Sequence, residues 1–288
     1  SASEEARLFS AIANDMNIKI LYNEHNFMQH FILGNIIWLH LRTYNKFFSL
    51  GWKDFNKVIP AGSLYEWTKR IKKEKKNDLL FISSVASSKS PLHSSAYGEQ
   101  GYANAISYFE MNNIFFKNLD NNIIKKIYFR GHPHVKDEAY KDYVIEDYFY
   151  LKEYLSQFKK LDYDPNIPAI ELIAESKLVI INYLSTPWLQ ALIANIPTII
   201  LVNKNTYFFD LNYRNIFNEL EKNNIVFFCP ILAAKFIKNI YDNPLNWWQT
   251  KQVQQARKEF LSSNFMTQER LSNYLLDLSK NTNNLNFS

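Results

Sequence analysis

The feature that most constrains the fold is a series of short apolar runs, rich in Ile, Val and Phe, with longer segments of helical periodicity between them. Most runs are bounded by polar or turn-forming residues, which predicts strands at residues 18–22, 46–50, 79–83, 126–130, 178–182, 198–202 and 225–228. Strands that are apolar on both faces are typical of a parallel sheet covered by helices on either side. The sequence therefore predicts a parallel α/β fold.

A charged segment divides the chain. Residues 66–76 have the sequence EWTKRIKKEKK and show no strong apolar stripe, which indicates a linker or an exposed helix. We predict an N-terminal α/β domain over residues 1–76, a second α/β domain over residues 77–243 and a helical tail over residues 244–288. Ser1-Ala2-Ser3 leads straight into a helix-like segment, as expected of a tag remnant or a truncated start, so the first domain is expected to be incomplete.

Composition excludes several classes of protein. The net charge of +5 is small for 288 residues, and the basic residues are mostly dispersed, which argues against a nucleic-acid binder. The only cysteine, Cys229, cannot form an internal disulfide and fits a reducing cytoplasm. No apolar run approaches the roughly 20 residues that span a bilayer. We expect a cytoplasmic protein that is soluble or peripheral at a membrane.

Residues 178–202, LVIINYLSTPWLQALIANIPTIILV, predict a strand, a loop, a helix and a second strand. Pro187 suits the first helical position, which makes Thr186 the N-cap with Ser185 just before it. A helix that starts after a parallel strand presents unpaired N–H groups and the positive end of its dipole, and phosphates bind there. The alternative is that both hydroxyls merely cap the helix. Asn195 is the expected helix stop.

A second polar loop follows the predicted strand at residues 126–130. Arg130 has a planar fork suited to phosphate, and His132 is a donor whose charge is expected to change near neutral pH. His134 has the same capability, without a rigid neighbour such as Pro133. Ligands of open α/β sheets collect at the carboxyl ends of the strands, so this loop and the Ser185-Thr186 loop are expected at one edge. The alternative is a turn that contains two histidines.

The His132 loop and the Ser185-Thr186 loop together resemble motifs of known bacterial transferases. An Arg-x-His-Pro loop followed by a Ser-Thr loop resembles bacterial GT-B transferases that use cytidine-activated donors: sialyltransferases, Kdo transferases and CDP-glycerol glycerophosphotransferases. The chain more closely resembles transferases of bacterial surface-carbohydrate biosynthesis, over residues 23–260. In that pattern the Ser-Thr segment and residues 195–198 precede an Asp-Pro and Trp-Trp tail. The matching residues are Ser185, Thr186, Leu189, Leu192, Asp242, Pro244, Trp247, Trp248, Val253, Ala256, Arg257 and Phe260.

The resemblance implies a GT-B fold of two Rossmann-like domains. Residues 77–243 would bind the nucleotide sugar, and residues 1–76 would lie on the acceptor side. It also implies that His132 contacts the donor phosphate and that Ser185 and Thr186 hold the same group, to which Arg130 would add a charge-assisted contact. Pro187 directly follows Thr186 here, which leaves open which hydroxyl faces the ligand.

A catalytic base is expected from the first domain, because a GT-B cleft lies between two sheets. The loop Asn23-Glu24-His25-Asn26 follows the apolar run at residues 18–22, and related families carry an acidic residue or a histidine in this region. Glu24 or His25 is the predicted base, and the choice between them stays open. The alternative is an ordinary polar turn at the end of a strand.

A Ser-rich loop over residues 83–101 is the remaining candidate, since loops of this length are usually functional or disordered. Ser84, Lys89, His93 and Glu99 are its predicted substrate contacts, and a disordered insertion is the alternative. The histidines are scattered and no Asp-x-Asp occurs, so we expect neither a metal nor any cofactor beyond the nucleotide sugar.

The leading hypothesis is a metal-independent glycosyltransferase, either inverting or retaining, that moves a sugar from a CMP-sugar, Kdo or sialic-acid-like, to a glycan or lipid-linked glycan. Its product would be a surface polysaccharide such as capsule or lipopolysaccharide, made at the inner face of the membrane. Two alternatives remain at this point: a transferase that uses CDP-glycerol and attacks phosphorus, and a non-catalytic subunit that binds nucleotide sugars.

Overall fold

The structure is a computed structural model of the chain. It describes residues 4–24, 45–53, 56–62, 74–87, 104–138, 144–203 and 211–265, with residues 272–273, 276–277 and 280. Its contacts divide the chain into two compact units, one made of Ser1–Thr68 and Glu259–Ser288 and the other of Lys69–Lys258. Each unit is described by itself below. The domain bounds predicted at residues 76 and 243 stay predictions.

The first unit contains a small parallel sheet. Helix α1 (Glu4–Asp15) precedes strands β1 (Leu21–Asn23), β2 (Lys46–Ser49) and β3 (Val58–Pro60), which pair in the order β1-β2-β3. Phe47, Trp52 and Val58 form its buried core, with the ring of Tyr22 stacked on Phe47 at 5.1 Å. Strand β1 starts later than predicted because Asn17, at φ 55°, ends α1 and the N–H of Ile18 still donates to the helix at Ala13.

The second unit is built on a six-stranded sheet. Its strands are β4 (Asn77–Ile82), β6 (Ile127–Arg130), β8 (Lys160–Asp162), β9 (Ser176–Ile181), β10 (Thr198–Leu201) and β11 (Val226–Phe227), after the short β5 (Ala86–Ser87) and β7 (Val144–Ile145), which pair with each other. The order is β11-β10-β9-β4-β6-β8, and every pair is parallel. The chain fills one side of β4 first and then the other. This is the doubly wound order, which reverses between β4 and β9.

Helices connect these strands. They are α2 (Ala105–Lys117), α3 (Asn121–Ile124), a 3-10 helix (Pro133–Lys136), α4 (Tyr148–Leu155), α5 (Ala169–Ala174), α6 (Thr186–Ile193), α7 (Leu211–Lys222), α8 (Pro230–Ile240), α9 (Pro244–Trp248) and α10 (Lys251–Asn264). No helix in the described ranges has both the length and the apolar character needed to cross a bilayer.

The core of the second unit explains why these runs form a covered sheet. All four residues of β10 and five of the six in β9 are buried. An aromatic stack crosses one face, with ring centroids 5.7 Å apart for Phe81 and Phe129 and 5.2 Å apart for Phe129 and Phe158. Burial on both faces is what the apolar runs predicted, and the predicted parallel α/β fold is confirmed.

Helix α6 begins one residue earlier than predicted. Ser185, not Thr186, is the N-cap, and Pro187 is the second helical residue. Proline is tolerated at either of the first two positions because neither N–H has a partner inside the helix. The predicted stop is confirmed: Asn195 has φ 56°, and the N–H groups of Asn195 and Ile196 donate to Leu192 and Ala191.

The tail helices fix the far end of α6. The indole Nε1 of Trp248 donates to the carbonyl oxygen of Asn195 at 3.2 Å and to its side-chain Oδ1 at 2.9 Å. Nη1 of Arg257 donates to the carbonyl oxygen of Leu192 at 2.7 Å. These bonds satisfy carbonyl groups that a helix C-terminus leaves unpaired, so α6 is held where its last turn ends.

Candidate functional site

Three loops leave the sheet at the same level. Ile82 at the end of β4 aligns with Arg130 at the end of β6 and with Ile181 at the end of β9. The loops at residues 83–85, 131–132 and 182–185 therefore start side by side at the carboxyl edge. The two outer loops start about 10 Å apart, since neighbouring strands are spaced by about 4.8 Å. Ligands of doubly wound sheets bind outside this edge, at the point where the strand order reverses.

The start of α6 provides one side of this site. Ser185 is the N-cap in extended conformation, but its side chain makes no capping hydrogen bond. Its Oγ is buried and has no hydrogen-bond partner among the described residues. A buried hydroxyl without a partner is uncommon and calls for an explanation such as an absent ligand. Thr186 follows as the first helical residue and is partly exposed.

His132 is placed on the other side by a local bond. Its Nδ1 accepts a hydrogen bond from the backbone N–H of His134 at 3.3 Å, where the 3-10 helix begins. The neutral ring therefore carries its proton on Nε2 and can donate from there. Burial, then the charges of His134 and Arg130, lower the pKa of His132 to about 4. The expected charge change near neutral pH is thus wrong: His132 is a neutral donor at pH 7.

Arg130 is committed to protein partners. Its Nη1 lies 3.2 Å from Oδ1 of Asp162, with both side chains buried, and its Nη2 donates to the carbonyl oxygen of Ile167 at 3.0 Å. Burial raises the pKa of Asp162, but hydrogen bonds from Tyr128 and Asp164 and the charge of Arg130 outweigh it, so this pKa lies below its ordinary value. Arg130 joins the ends of β6 and β8. Its contact with phosphate stays a prediction.

A buried polar cluster lies where the strand order reverses. The N–H of Ser84 donates to Oδ1 of Asn182 at 3.0 Å and to the hydroxyl of Tyr108 at 3.1 Å. Asn182 in turn donates from Nδ2 to Tyr108 and to Asn112, each at 2.8 Å. The hydroxyls of Ser83 and Tyr108 are 3.0 Å apart. Buried networks of this kind hold backbone in one arrangement.

Sequence reasoning missed most of this cluster. Ser84 was predicted as a substrate contact, but it is fully buried, so in this structure its side chain belongs to the framework of the site. The missed residues carried a signal, since Asn182 interrupts an apolar run and Asn112 lies within an apolar helix. A polar residue that sits among apolar neighbours is buried with partners in most folds.

Glu24, in the first unit, is also buried. Its Oε2 accepts hydrogen bonds from the backbone N–H of Leu50 at 2.8 Å and from Nε1 of Trp52 at 2.9 Å. These bonds fix the chain where β2 ends. The role of Glu24 as a base stays a prediction, and so does that of His25. His25, Asn26, Lys89, His93 and Glu99 lie outside the described residues.

A metal site needs several His, Cys, Asp or Glu side chains close together. In the part of the chain that the structure describes, no three residues of these types are grouped so that they could hold a metal ion.

Comparison with known proteins identifies the family. The model of the LIC12162 family transferases matches residues 1–278, nearly the whole chain. The chain belongs to this family. It is therefore a member of a transferase family, as the resemblance implied, while the likeness to the particular cytidine-dependent families named above stays a prediction. No curated protein sequence matches the chain.

The similarity of this LIC12162 family member to solved structures is weaker than its match to the family model. One is a mutant of S. aureus TarM in complex with Fondaparinux, alpha-GlcNAc-glycerol and UDP, and another is TarM alone. Each is 14% identical, with a TM-score of 0.48 and coverage of 92% of this chain. The chain spans about half (51%) of the length of these structures.

In this LIC12162 family member, the structure places four predicted residues at one sheet edge. Arg130, His132, Ser185 and Thr186 all lie at or just after the carboxyl ends of β6 and β9. Within the described residues, the hydrogen bonds of two of the four leave a polar group for a ligand. His132 can donate from Nε2, and the buried Oγ of Ser185 has no partner there.

Proposed function

We propose that this chain is a GT-B-type glycosyltransferase whose donor is a CMP-sugar, Kdo or sialic-acid-like. The observation that carries the proposal is the buried Oγ of Ser185 at the start of α6, which has no hydrogen-bond partner among the described residues and lies beside the point where the strand order reverses. A phosphate there would receive the Ser185 hydroxyl, the N–H groups of the first turn and the positive end of the helix dipole. The preference for cytidine rests on the resemblance of the His-Pro loop.

The transfer itself needs a stabilised leaving group. The bond between the anomeric carbon and the donor phosphate oxygen breaks, and the electron pair leaves with CMP. Ser185, Thr186 and the Nε2–H of His132 would stabilise the charge that develops on that phosphate. A neutral His132 donates without a change of its own protonation state, as expected from its lowered pKa. No metal ion enters this scheme.

The acceptor hydroxyl oxygen forms the new bond to the anomeric carbon and loses its proton to a base. Glu24 and His25 are the proposed bases. The acceptor is proposed to be a glycan or lipid-linked glycan of a surface polysaccharide. We therefore place the protein in the cytoplasm, at the inner face of the membrane.

Nucleotide binding is the first test. We expect CMP or CDP to raise the Tm more than UDP or GDP at equal concentration, because a ligand that binds only the folded state stabilises it. His132→Ala should abolish the shift, whereas His134→Ala should keep it, since the backbone N–H that orients His132 remains. No shift with any of the four nucleotides would refute the donor site. A larger shift with UDP or GDP would refute the cytidine preference.

Ser185→Ala should separate binding from stability. Because Oγ of Ser185 has no hydrogen bond in the described structure, its removal should change the free energy of unfolding by less than about 0.5 kcal/mol without ligand. CMP affinity should fall about tenfold, as expected when a hydrogen bond to a charged group is lost. Chemical denaturation and calorimetric titration measure the two quantities. A variant that loses stability but keeps its affinity would show that the hydroxyl is structural.

Turnover of the donor is the final test. Hydrolysis of a CMP-sugar by the wild-type protein, lost in Glu24→Gln or in His25→Ala, would assign the base. Nucleotide binding without any turnover would favour a non-catalytic subunit, and turnover of CDP-glycerol alone would favour attack at phosphorus.

A further inference from the structure

A basic surface lies at the amino edge of the six-stranded sheet, opposite the edge that carries the candidate donor site. Lysines stand just before, or within the first two residues of, the neighbouring strands β9, β4, β6 and β8. Because these strands are all parallel, their starts meet at one edge. The lysines are Lys75, Lys76, Lys125, Lys126, Lys159, Lys160 and Lys177, and all seven are exposed. These seven residues form the lysine edge.

The strand register places part of the lysine edge in one row. Asp78 on β4 aligns with Lys177 on β9 and, by the same register, with Lys126 just before β6. Residues that align across neighbouring strands lie on the same face, about 4.8 Å apart. On β8, Lys160 aligns with Tyr128, and its Nζ lies 4.7 Å from the centre of that ring. The row therefore spans about 14 Å over four strands.

The lysine edge keeps a net positive charge when the acids beside it are counted. Lys177 forms an ion pair with Asp78 at 2.6 Å, and Lys76 forms one with Glu175 at 3.6 Å. The carboxylates beside the seven lysines are Glu74, Asp78, Glu171 and Glu175. The net charge of this group is +3, against +5 for the whole chain. Among the described residues, no carboxylate forms an ion pair with Lys125, Lys126 or Lys159.

A cavity of about 520 Å³ lies beside the edge strand β8. This volume falls within the range of cavities that hold small organic ligands. Its lining combines cations and acids with an apolar part: Lys76, Lys159 and Lys160, Glu171 and Glu175, and Tyr128, Ile167 and Leu172. Such a lining suits an amphiphile, whose anionic group meets the lysines while its carbon chain contacts the apolar side chains.

The residue type also indicates the partner. All seven cations are lysines, which act as mobile point charges, whereas fixed recognition of a phosphate favours the planar fork of arginine. Mobile charges suit the headgroups of a fluid lipid surface. In the sequence, four of the five residues at positions 69–73, just before this edge, are also basic, but they lie outside the described residues.

We propose that the lysine edge binds the headgroups of an anionic phospholipid surface. A negatively charged leaflet raises the affinity about fivefold for each lysine close to it. Strand β4, with six residues, separates the lysine edge from the carboxyl edge by about 20 Å, so the bound protein keeps its donor site free. The use of this surface in transfer to a lipid-linked acceptor rests on the proposed function, whereas its binding to lipid does not.

Flotation with phospholipid vesicles tests the surface in the full chain. We expect binding to phosphatidylcholine vesicles that contain about 30% phosphatidylglycerol, and none to phosphatidylcholine alone, because the attraction needs a charged leaflet. Raising the salt concentration from about 0.05 M to about 0.5 M should release the protein, because exposed charges are screened. Failure to bind the anionic vesicles at low salt, or equal binding to both kinds of vesicle, would overturn the proposal.

Two double variants locate the surface. Lys126→Gln/Lys159→Gln should weaken binding to anionic vesicles about thirtyfold, as expected for two lysines. Its Tm should stay close to that of the wild-type protein, because both side chains are exposed and neither forms an ion pair with a described residue. Lys235→Gln/Lys258→Gln is the matched control, since it removes the same charge from exposed positions on α8 and α10. Equal weakening in both double variants would show that net charge, not the lysine edge, causes binding.

Competition separates lipid from other anions. Inorganic phosphate should release no more protein from the vesicles than chloride at equal ionic strength, and selective release would show that isolated phosphate groups are the ligand. Duplex DNA that binds as tightly as the vesicles at the same salt, and loses its affinity in Lys126→Gln/Lys159→Gln, would overturn lipid as the partner.

Nucleotide binding distinguishes this proposal from the proposed function. CMP should raise the Tm of Lys126→Gln/Lys159→Gln as much as that of the wild-type protein, because the donor site lies at the other edge of the sheet. Vesicles that displace CMP would contradict the placement of the two sites at opposite edges. Protein that binds anionic vesicles but no nucleotide would refute the proposed function and leave the lysine edge as a lipid-binding surface.

Discussion

Arg130→Met is expected to lower the free energy of unfolding by about 3–5 kcal/mol, the usual cost of leaving one partner of a buried ion pair alone. The substitution keeps the apolar stem but removes the guanidinium from Asp162, whose side chain is 6% exposed. Tyr128 and the N–H of Asp164 still donate to this carboxylate, at 2.5 Å and 2.8 Å, but neither carries a charge. The carbonyl oxygen of Ile167 also loses its donor.

The double variant Arg130→Met/Asp162→Asn should recover more than half of that loss. Neither buried charge remains, and the asparagine can still accept from the N–H of Asp164 through Oδ1 while its Nδ2 donates to the hydroxyl of Tyr128. Lys238→Met is the control for a change of charge alone, because its pair with Asp120 at 3.0 Å is exposed and should cost less than about 1 kcal/mol. Urea denaturation measures all three. A double variant no more stable than Arg130→Met would show that the broken ion pair is not the cause of the lost stability.

The same double variant decides between two roles of Arg130. The sequence favours a phosphate contact, whereas the structure shows a guanidinium occupied by Asp162 and Ile167. If the refolded double variant keeps the wild-type CMP affinity, Arg130 only joins β6 to β8. If the affinity falls about tenfold or more, the guanidinium also reaches the ligand, since a hydrogen bond to a charged group is worth that much.

The sheet was largely predictable because its signal is local. Each of the seven predicted runs overlaps a strand, and burial on both faces makes such runs apolar throughout. The strands that were missed are β3, β5, β7 and β8, each two or three residues long. Strand β8 is an edge strand with the sequence KLD, in which only Asp162 is buried. A polar edge strand has no pattern that separates it from a loop.

The site was predictable only where one segment contains the information. The start of α6 was found to within one residue, because proline and two hydroxyls mark it locally. The partner of Arg130 was not predicted, because Asp162 lies on another strand and only the parallel pairing of β6 and β8 brings them together.

Two titratable groups, the buried Asp147 and the partly buried His132, should give this protein opposite dependences of stability on pH. The folded-state pKa of Asp147, about 6, lies above its ordinary value of 3.8, so its contribution to stability is present at low pH and is lost as the pH rises through 6. The folded-state pKa of His132, about 4, lies below 6.5, so its contribution is present above 6.5 and is lost as the pH falls through 4. Each change amounts to about 3 kcal/mol.

In the wild-type protein these two contributions nearly cancel between about pH 4 and pH 6.5. Single variants should reveal them. The stability of Asp147→Asn relative to wild type should rise by about 3 kcal/mol over this range, because the opposing loss at Asp147 is gone. The relative stability of His132→Asn should fall by about the same amount.

Chemical denaturation at several pH values gives the free energy of unfolding of each variant and of the wild-type protein. The contributions of all other carboxyl groups cancel in the difference between the two curves. Tyr154→Phe, which changes neither group, should give a flat difference curve. Curves that slope in the same direction for Asp147→Asn and His132→Asn would contradict the assignment of an ionised Asp147 and a neutral His132 at neutral pH. Opposite slopes would establish that, at neutral pH, His132 is a neutral donor while the buried Asp147 is ionised.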